Sequence, residues 1–165
     1  MSMQQETMSL LINEVPASEV PMDLLLLADP SVEKINGYLS VSRCFAAYSK
    51  GAMAGACVVK LVARNTYELM SIAVAPAQQQ NGIGTQLLKY VIEAVGQTGA
   101  ERLEVGTGTF GHQLAFYQRH GFRVTGVDRD FFIKNYEEPI FEAGIQLKDM
   151  LRLTLEYPIL IAAEM

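Results

Sequence analysis

Two glycines, Gly82 and Gly84, lie where an irregular polar stretch gives way to a helical pattern. A glycine lacks a Cβ atom, so its backbone can approach a ligand closely and can adopt a positive φ angle. The first N–H groups of a helix have no acceptor inside the helix, and the helix dipole adds partial positive charge at that end. Main-chain amides placed in this way bind a pyrophosphate without help from a lysine. The segment is therefore a candidate diphosphate-binding loop.

Comparison with known phosphate-binding loops leaves two interpretations of this segment. A dinucleotide-binding fingerprint requires a third glycine at position 87, where the chain has Leu87. A P-loop requires Gly-Lys-Ser or Gly-Lys-Thr, which the sequence does not contain. A pyrophosphate site of the coenzyme A kind remains, and so does an ordinary glycine-containing turn before a helix.

The charge balance argues against one class of partner. The chain has 13 basic and 18 acidic residues and a formal net charge of −5. A general nucleic-acid binder obtains its affinity from Lys and Arg side chains that neutralise phosphates, so we expect no nucleic-acid partner. A cationic substrate is compatible with this charge.

The two cysteines, Cys44 and Cys57, show no metal-binding pattern. They have neither CxxC spacing nor a paired histidine, so we expect free thiols in a reducing compartment and no metal site. Cys57 lies in an apolar stretch without a neighbouring base. This setting favours a buried, unreactive thiol over an acyl-carrying nucleophile.

Length and hydropathy indicate one domain. The 165 residues are close to the size of a single domain, roughly 150 residues. No apolar run approaches the roughly 20 residues that a membrane span needs. The first ten residues lack the basic start and apolar core of a signal peptide. We expect a single domain over residues 1–165, located in the cytoplasm and without a membrane partner.

The first half of the sequence predicts strands and two helices. Predicted strands cover residues 8–13, 43–48, 53–63 and 67–75, and predicted helices cover residues 17–28 and 31–39. The triplets Ser49-Lys50-Gly51 and Arg64-Asn65-Thr66 are turn signals. The last three strands are therefore expected to form an antiparallel meander.

The second half alternates helices and strands. Apolar residues recur with helical spacing from Gly84 onward, and Gly96 and Gly99 are typical of a helix end. A strand over residues 102–106, a helix over 111–120 capped by Gly121, and a strand over 122–127 follow. The expected fold is α/β, with a mixed, mainly antiparallel central sheet and helices on both faces.

Three segments of the sequence together resemble the GNAT N-acetyltransferase superfamily. The segments are Glu68–Pro76, the pattern Gln79-x-x-Gly82-x-Gly84, and Ala115–Phe122. In that family they correspond to the central strand, the pyrophosphate loop and a helix that ends in Tyr-x-x-x-Gly-Phe, and they occur here in the same order. Residues 130–150 are similar to the C-terminal half of a group of bacterial GNAT proteins. The resemblance implies a GNAT-like acyl-CoA N-acyltransferase fold, with acetyl-CoA as co-substrate.

The resemblance also implies a cofactor-binding role for two runs of main-chain groups. In the family, the central strand diverges from its neighbour, and its unpaired backbone groups bind the pantetheine arm. The corresponding residues here are Ile72, Ala73 and Val74, with the Val74 N–H near the thioester oxygen. The pyrophosphate loop corresponds to Gln79, Gln80, Asn81, Gly82, Ile83, Gly84 and Thr85.

Two catalytic side chains are implied by the same resemblance. Tyr117 would lie near the sulfur and protonate the departing thiolate, and a core aromatic residue is the alternative. Glu68 matches the general base of some members, since an amine with a pKa of ~10.4 must lose a proton before attack. An exposed strand glutamate is the alternative for Glu68. His112 and a chain of water molecules are rival bases, and His120 is expected to complement a helix C-terminus.

One segment departs from the family pattern. Many members carry an asparagine just after the fifth strand, near the pantetheine, whereas this chain has the sequence Gly-Thr-Gly-Thr-Phe-Gly over residues 106–111. Thr107 or Thr109 is a candidate replacement, since each carries a hydroxyl.

The implied function is transfer of the acetyl group of acetyl-CoA to a primary amine by direct attack within a ternary complex. The acceptor, a small molecule or a peptide, is expected between residues 17–39 and residues 128–148, and acidic side chains in the second region suit a basic amine. A non-catalytic acyl-CoA-binding sensor and a different nucleotide-binding enzyme are the alternatives. Residues 150–161 are predicted to extend the sheet or cover an edge, and family members often form homodimers through such strands.

Overall fold

The structure combines nine strands and five α-helices within the described part of the chain. A computed structural model describes residues 10–79 and 81–158. The strands are β1 Leu10–Val15, β2 Arg43–Ser49, β3 Ala52–Ala63, β4 Thr66–Val74, β5 Arg102–Thr107, β6 Arg123–Asp128, β7 Phe141–Glu142, β8 Ile145–Gln146 and β9 Met150–Glu156. The helices are α1 Met22–Leu25, α2 Val32–Leu39, α3 Ile83–Gly96, α4 His112–Arg119 and α5 Phe131–Asn135.

The strand pairing confirms a mixed, mainly antiparallel sheet. Seven strands form one sheet in the order β1-β2-β3-β4-β5-β9-β6, and β7 pairs with β8 separately. Within the large sheet, β4 and β5 are parallel and the other described neighbours are antiparallel. A parallel pair needs a crossover connection, and α3 provides it between β4 and β5.

The predicted meander of β2, β3 and β4 is confirmed, and its turns explain its two sequence signals. Lys50 and Gly51 both have positive φ angles, 52° and 82°, which is the combination of a type I′ hairpin turn. Asn65 in the second turn has a φ of 54°, and asparagine tolerates this left-handed region better than most residues.

The predicted helix over residues 17–28 is wrong. The structure has a 3₁₀ turn over Ala17–Glu19 and then the four-residue helix α1. Pro21 lies between them, and a proline has no N–H group with which to continue a helix. The apolar spacing still serves the core, since Leu24 and Leu25 are buried.

Two other elements of the first half agree with the sequence. Helix α2 is confirmed, and its cap is the Ser31 side chain, which accepts a hydrogen bond from the Lys34 N–H at 3.2 Å. Strand β1 is confirmed in type but extends to Val15, two residues beyond its predicted end. Residues 8 and 9 of that predicted strand lie outside the described residues.

The last strand of the sheet lies in its interior. Residues 150–161 are predicted to extend the sheet or to cover an edge, and β9 extends the sheet by pairing with β5 on one side and with β6 on the other. The edge position falls to β6. The alternating pattern of β9 could not reveal its interior position, because period-two spacing specifies which side chains share a face and not which strands are neighbours. Residues 159–161 lie outside the described part of the chain.

Helices cover both faces of the sheet, as predicted. On one face α3 and α4 pack over a core that includes Phe45, Leu87 and Tyr117. On the other face α1 and α2 pack over a smaller core that includes Leu25 and Ile35. We call these the α3/α4 face and the α1/α2 face.

Replacing Leu87 with alanine should destabilise the protein by about 2–5 kcal/mol, because a fully buried side chain would leave a cavity between α3 and the sheet. Urea denaturation measures the free energy of unfolding. The matched control is Leu27→Ala, whose side chain is 52% exposed and whose loss should change stability by less than ~0.5 kcal/mol. Equal losses in the two variants would contradict this assignment of the core.

Candidate active site

Strands β4 and β5 are paired at one end and separate at the other. Their register ends with Leu69 opposite Val105, whereas β4 continues to Val74 and β5 to Thr107. Beyond the last pair, the main-chain groups that β4 turns toward β5 have no partner on that strand. We call the space between the two strands the opening.

A β-bulge marks the point of separation. Val58 of β3 lies opposite Ser71, and the next residue, Val59, lies opposite Leu69, so Met70 is an extra residue on β4. An extra residue bends its strand and increases the local twist. The bulge therefore places a bend in β4 immediately after its last residue paired with β5.

The hydrogen-bond ladder decides which backbone groups face the opening. The Ala75 N–H donates to the Ala54 carbonyl of β3 at 2.8 Å. In an antiparallel ladder every second residue turns its N–H and C=O toward the same partner, so Ala73 also faces β3. Ile72 and Val74 consequently turn their main-chain groups toward the opening. Of the three residues predicted to bind a pantetheine arm, two turn their main-chain groups toward the opening and one turns them toward β3.

Helix α3 begins just beyond the end of β4. Gly82 precedes its first turn with a φ of 76°, and no side chain caps this end. The first bond of the helix runs from the Gln86 N–H to the Gly82 carbonyl at 3.1 Å. The N–H groups of Ile83, Gly84 and Thr85 therefore have no acceptor within the helix.

The loop before α3 has space for a ligand. A Cβ atom added at Gly82 would meet nothing within 4 Å, and one at Gly84 would lie 3.6 Å from the Val74 side chain. The Gln79 side-chain amide donates to the Val74 carbonyl at 3.1 Å, which ties the loop to β4. Asn81 is exposed, and Gln80 lies outside the described residues. This cradle of amide donors fits a diphosphate group.

Tyr117 belongs to the core on the α3/α4 face. It is buried on α4, where its ring packs against Phe116 and Phe122 with centroids 5.4 Å and 5.5 Å away. Burial, with a smaller contribution from Cys57, raises the pKa of Tyr117 above its ordinary value of 10.0. The hydroxyl therefore keeps its proton at neutral pH and is available as a hydrogen-bond donor.

Glu68 lies at the start of the opening, one residue before Leu69. Its carboxylate Oε1 accepts a hydrogen bond from Arg152 Nη2 of β9 at 3.1 Å, and both side chains are about a quarter exposed, 23% and 28%. Leu69 belongs to the α3/α4 core, and successive strand residues point to opposite faces. Glu68 therefore lies on the α1/α2 face, across the sheet from Tyr117.

Both histidines and both candidate threonines have defined positions. His112 is exposed at the first turn of α4. His120 Nδ1 donates to the Phe116 carbonyl at 2.8 Å, because a carbonyl can only accept, and this contact lies at the C-terminal end of α4. Thr107 is buried and donates to the Gly108 carbonyl at 2.6 Å, whereas Thr109 is exposed.

Asp29 joins the two segments expected to bind the acceptor. Its buried carboxylate accepts hydrogen bonds from the Tyr38 hydroxyl at 3.4 Å and the Tyr136 hydroxyl at 3.1 Å. Burial, followed by the charge of Asp29, raises the pKa of both tyrosines. Residues 17–39 and 128–148 are thus linked by a buried polar contact on the α1/α2 face.

Sequence reasoning missed three groups in this region: Arg152, Asp29 and Ser71. Within the described residues, Ser71 Oγ is the one fully buried side-chain oxygen or nitrogen without a hydrogen-bond partner, and it directly follows the bulge. The polar positions of β9 were readable as one face of a strand. The residues that these polar side chains contact could not be predicted, since such contacts depend on strand order and register.

The described residues contain neither a metal-binding cluster nor a membrane-spanning helix. No group of three or more His, Cys, Asp or Glu side chains there is arranged to hold a metal ion. None of the helices in residues 10–79 and 81–158 has the length and apolar composition that a membrane crossing requires.

Residues 40–124 match the family model described as an acetyltransferase (GNAT) domain. The chain belongs to the GNAT acetyltransferase family. An uncharacterised N-acetyltransferase, YvbK, of Bacillus subtilis (strain 168) is 44% identical over 135 residues, which cover 81% of this chain and 87% of that protein. This match therefore includes most of the chain and not only the residues around the opening.

Solved structures of GNAT proteins have the same architecture. An IAA acetyltransferase from Bacillus cereus ATCC 14579 is 42% identical with a TM-score of 0.86, covering 90% of this chain and 100% of that one. A GNAT family acetyltransferase from Elizabethkingia anophelis with acetyl-CoA bound is 41% identical with a TM-score of 0.86, covering 90% of this chain and 99% of that one. The GNAT chain described here is therefore an acyltransferase by family and by fold.

Both thiols should be inert in the native GNAT domain. Burial raises the pKa of the Cys44 thiol to about 11 and that of Cys57 further still. A raised thiol pKa means that the reactive thiolate is absent until the pH approaches that value. Ellman's reagent at about pH 8 should therefore label both cysteines only after denaturation. Rapid native labelling, or an acyl adduct on Cys57 detected by mass spectrometry after incubation with acetyl-CoA, would contradict this.

Proposed function

We propose that this protein transfers the acetyl group of acetyl-CoA to a primary amine by direct attack within a ternary complex. The observation that carries the proposal is the opening between β4 and β5, which starts at Leu69 and leads to the N-terminus of α3. It offers main-chain donors along one side and a diphosphate cradle at its end. The related Elizabethkingia structure, at 41% identity, has acetyl-CoA bound.

The proposed cofactor contacts follow the backbone. The N–H groups of Ile83, Gly84 and Thr85 bind the pyrophosphate, and Gly82 supplies the left-handed turn that directs them. The pantetheine arm lies along β4, where Ile72 and Val74 present their main-chain groups. Ala73 supports this strand through its pairing with β3. The Val74 N–H donates to the thioester oxygen, where negative charge develops during attack.

The proposed chemistry exchanges a C–S bond for a C–N bond. The neutral amine nitrogen attacks the thioester carbon, the bond from that carbon to sulfur breaks, and the acetyl group remains on nitrogen. In balance, one proton moves from nitrogen to sulfur. Tyr117 donates to the departing sulfur from the α3/α4 face and regains a proton from the nitrogen. The Tyr117 hydroxyl begins and ends this reaction protonated.

Glu68 is the proposed acceptor of the proton that a cationic amine must lose before attack. Because Glu68 and Val74 lie more than about 15 Å apart along β4 at ~3.3 Å per residue, the proton reaches Glu68 through a chain of water molecules. The position of Glu68 across the sheet from Tyr117 supports an amine that approaches from the α1/α2 face while the thiol leaves toward the other face. Five exposed acidic side chains on residues 128–148 favour a basic acceptor. They are Asp128, Asp130, Glu137, Glu138 and Glu142.

Calorimetry followed by a kinetic assay tests this function. Acetyl-CoA, ATP and NAD are titrated separately, and the protein is then assayed for thiol release with polyamines, aminoglycosides and basic peptides. Binding of acetyl-CoA with thiol release and an acetylated product supports the proposal. Binding of acetyl-CoA without release for any amine would instead identify an acyl-CoA sensor, and heat with ATP or NAD alone would identify another nucleotide enzyme.

Gly82→Ala should weaken acetyl-CoA binding about tenfold, equivalent to ~1.4 kcal/mol, because alanine disfavours the φ of 76° that orients the amide donors. Calorimetry gives the dissociation constant. Gly51→Ala is the matched control: its φ is 82° and an added Cβ would also meet nothing within 4 Å, but it lies in the β2–β3 turn. Both variants should lose similar stability. Equal losses of affinity would exclude a specific role for Gly82.

Tyr117→Phe should lower kcat on the order of a hundredfold, since general acid–base catalysis contributes at least that much, and should leave acetyl-CoA affinity unchanged. Steady-state kinetics with a responsive amine measures it. Tyr157→Phe is the control, because its hydroxyl donates to the Ile92 carbonyl at 2.7 Å and its loss should cost ~1 kcal/mol of stability without changing kcat. Unchanged turnover in Tyr117→Phe would refute the acid role.

A further inference from the structure

Three charged side chains form a cluster on the α1/α2 face where the opening starts. They are Glu68 on β4, Glu104 on β5 and Arg152 on β9, three neighbouring strands of the sheet. Arg152 Nη2 lies 3.1 Å from Glu68 Oε1 and 4.0 Å from Glu104 Oε1. Arg152 therefore contacts a residue two strands away more closely than the one next to it.

Gly106 makes this reach across β5 possible. It lies opposite Arg152 in the β5–β9 register, and a Cβ atom added there would lie 3.0 Å from Arg152 Nη1 and would clash with Met150 Sδ. The Arg152 guanidinium and the Met150 thioether are themselves in contact, with Nη1 3.5 Å from the sulfur. Because Gly106 has no side chain, the Arg152 side chain can extend across β5 to β4.

The charges around Glu68 explain why a cation is needed there. Glu104 lies opposite Glu68 in the parallel pair of β4 and β5, and like charges in such positions repel. Lys60 of β3 is the cross-strand neighbour on the other side, but the ion pair within 4.0 Å is made by Arg152. Among the described residues, the hydrogen bond and ion pair of the Glu68 carboxylate involve Oε1, so Oε2 remains for a substrate.

We propose that Arg152 is a positioning residue for the transfer reaction: it crosses β5 over Gly106 and holds Glu68 by one oxygen, which leaves the other oxygen to accept the proton of the amine. This inference rests on the proposed function, in which Glu68 accepts the proton of the amine. If the Arg152–Glu68 ion pair has a purely structural role, its removal lowers the free energy of unfolding. A positioning role predicts a loss of turnover that exists only while Glu68 is present.

A double-mutant cycle separates these roles. Arg152→Met should lower kcat for acetylation on the order of tenfold, since small misplacements of a reacting group have large effects. In the Glu68→Gln background the same change should cause no further loss, because residues that act as one unit are not additive. The dissociation constant of acetyl-CoA should be the same in all four proteins. Equal fold losses in both backgrounds, or unchanged kcat in Arg152→Met, would overturn the proposal.

A second variant tests the path without removing a charge. Gly106→Ala should displace the Met150 thioether together with the flexible end of Arg152 that it contacts, and should lower kcat in the same direction but less, again only while Glu68 is present. The matched control is Gly126→Ala: Gly126 of β6 also lies opposite Arg152, but an added Cβ would sit at an ordinary 3.8 Å from it. If the two glycine variants lose equal turnover, the path over Gly106 is not what positions Arg152.

Two measurements keep the remaining explanations apart. Arg43→Met removes an ion pair with Glu14, 2.8 Å long, between β1 and β2, and should leave kcat unchanged, which controls for the loss of any surface ion pair. Wild-type acetylation in the same assay tests the proposed function itself. Absence of any acetylated product would refute that function, whereas active enzyme with an additive cycle would refute only the role of Arg152.

Discussion

The structure depends on how β4 separates from β5 while its main-chain groups keep hydrogen-bond partners. A main-chain N–H or C=O group that is buried without a partner costs free energy comparable to a lost hydrogen bond, so two strands rarely part inside a sheet. Here β4 stays paired with β3 along its whole length, the Met70 bulge supplies the bend, and Gln79 donates to the Val74 carbonyl. The groups that still lack a partner lie beside a helix terminus that also lacks one. Both requirements can be met by one elongated ligand with acceptors along its length and a diphosphate at its end.

The same sheet also keeps the two candidate catalytic side chains on opposite faces. Tyr117 belongs to the larger core beneath α3 and α4, where burial keeps its hydroxyl protonated. Glu68 belongs to the partly exposed opposite face, where Arg152 and Glu104 surround it. The Tyr117 hydroxyl and the Glu68 carboxylate are thus kept in different environments by a single layer of backbone. Such a division lets a nucleophile and a leaving group take opposite directions without competing for the same space.

Most of the fold could be predicted from local pattern, because turns, helix caps and apolar spacing are properties of adjacent residues. The hairpin at Lys50 and Gly51 and the helix after Gly82 are examples. Helix propensity failed at residues 17–28, where Pro21 outweighs the periodicity. The loop around Gly82 and Gly84 was a candidate diphosphate site from its own residues, whereas the separation of β4 from β5 was expected only from the resemblance to other sequences. The Glu68–Arg152 contact was not readable at all, since it depends on β9 entering between β5 and β6, and a strand pattern carries no information about its neighbours.

The interior position of β9 has a consequence for how the chain is made. A ribosome completes β5 and β6 before it reaches Met150, so the nascent protein carries two strands whose facing edges must wait for a third. Contacts between residues distant in sequence form slowly, and unpaired strand edges invite association with other chains. The sheet can therefore close only after Met150–Glu156 has been made, and until then the facing edges of β5 and β6 are open to association with other chains.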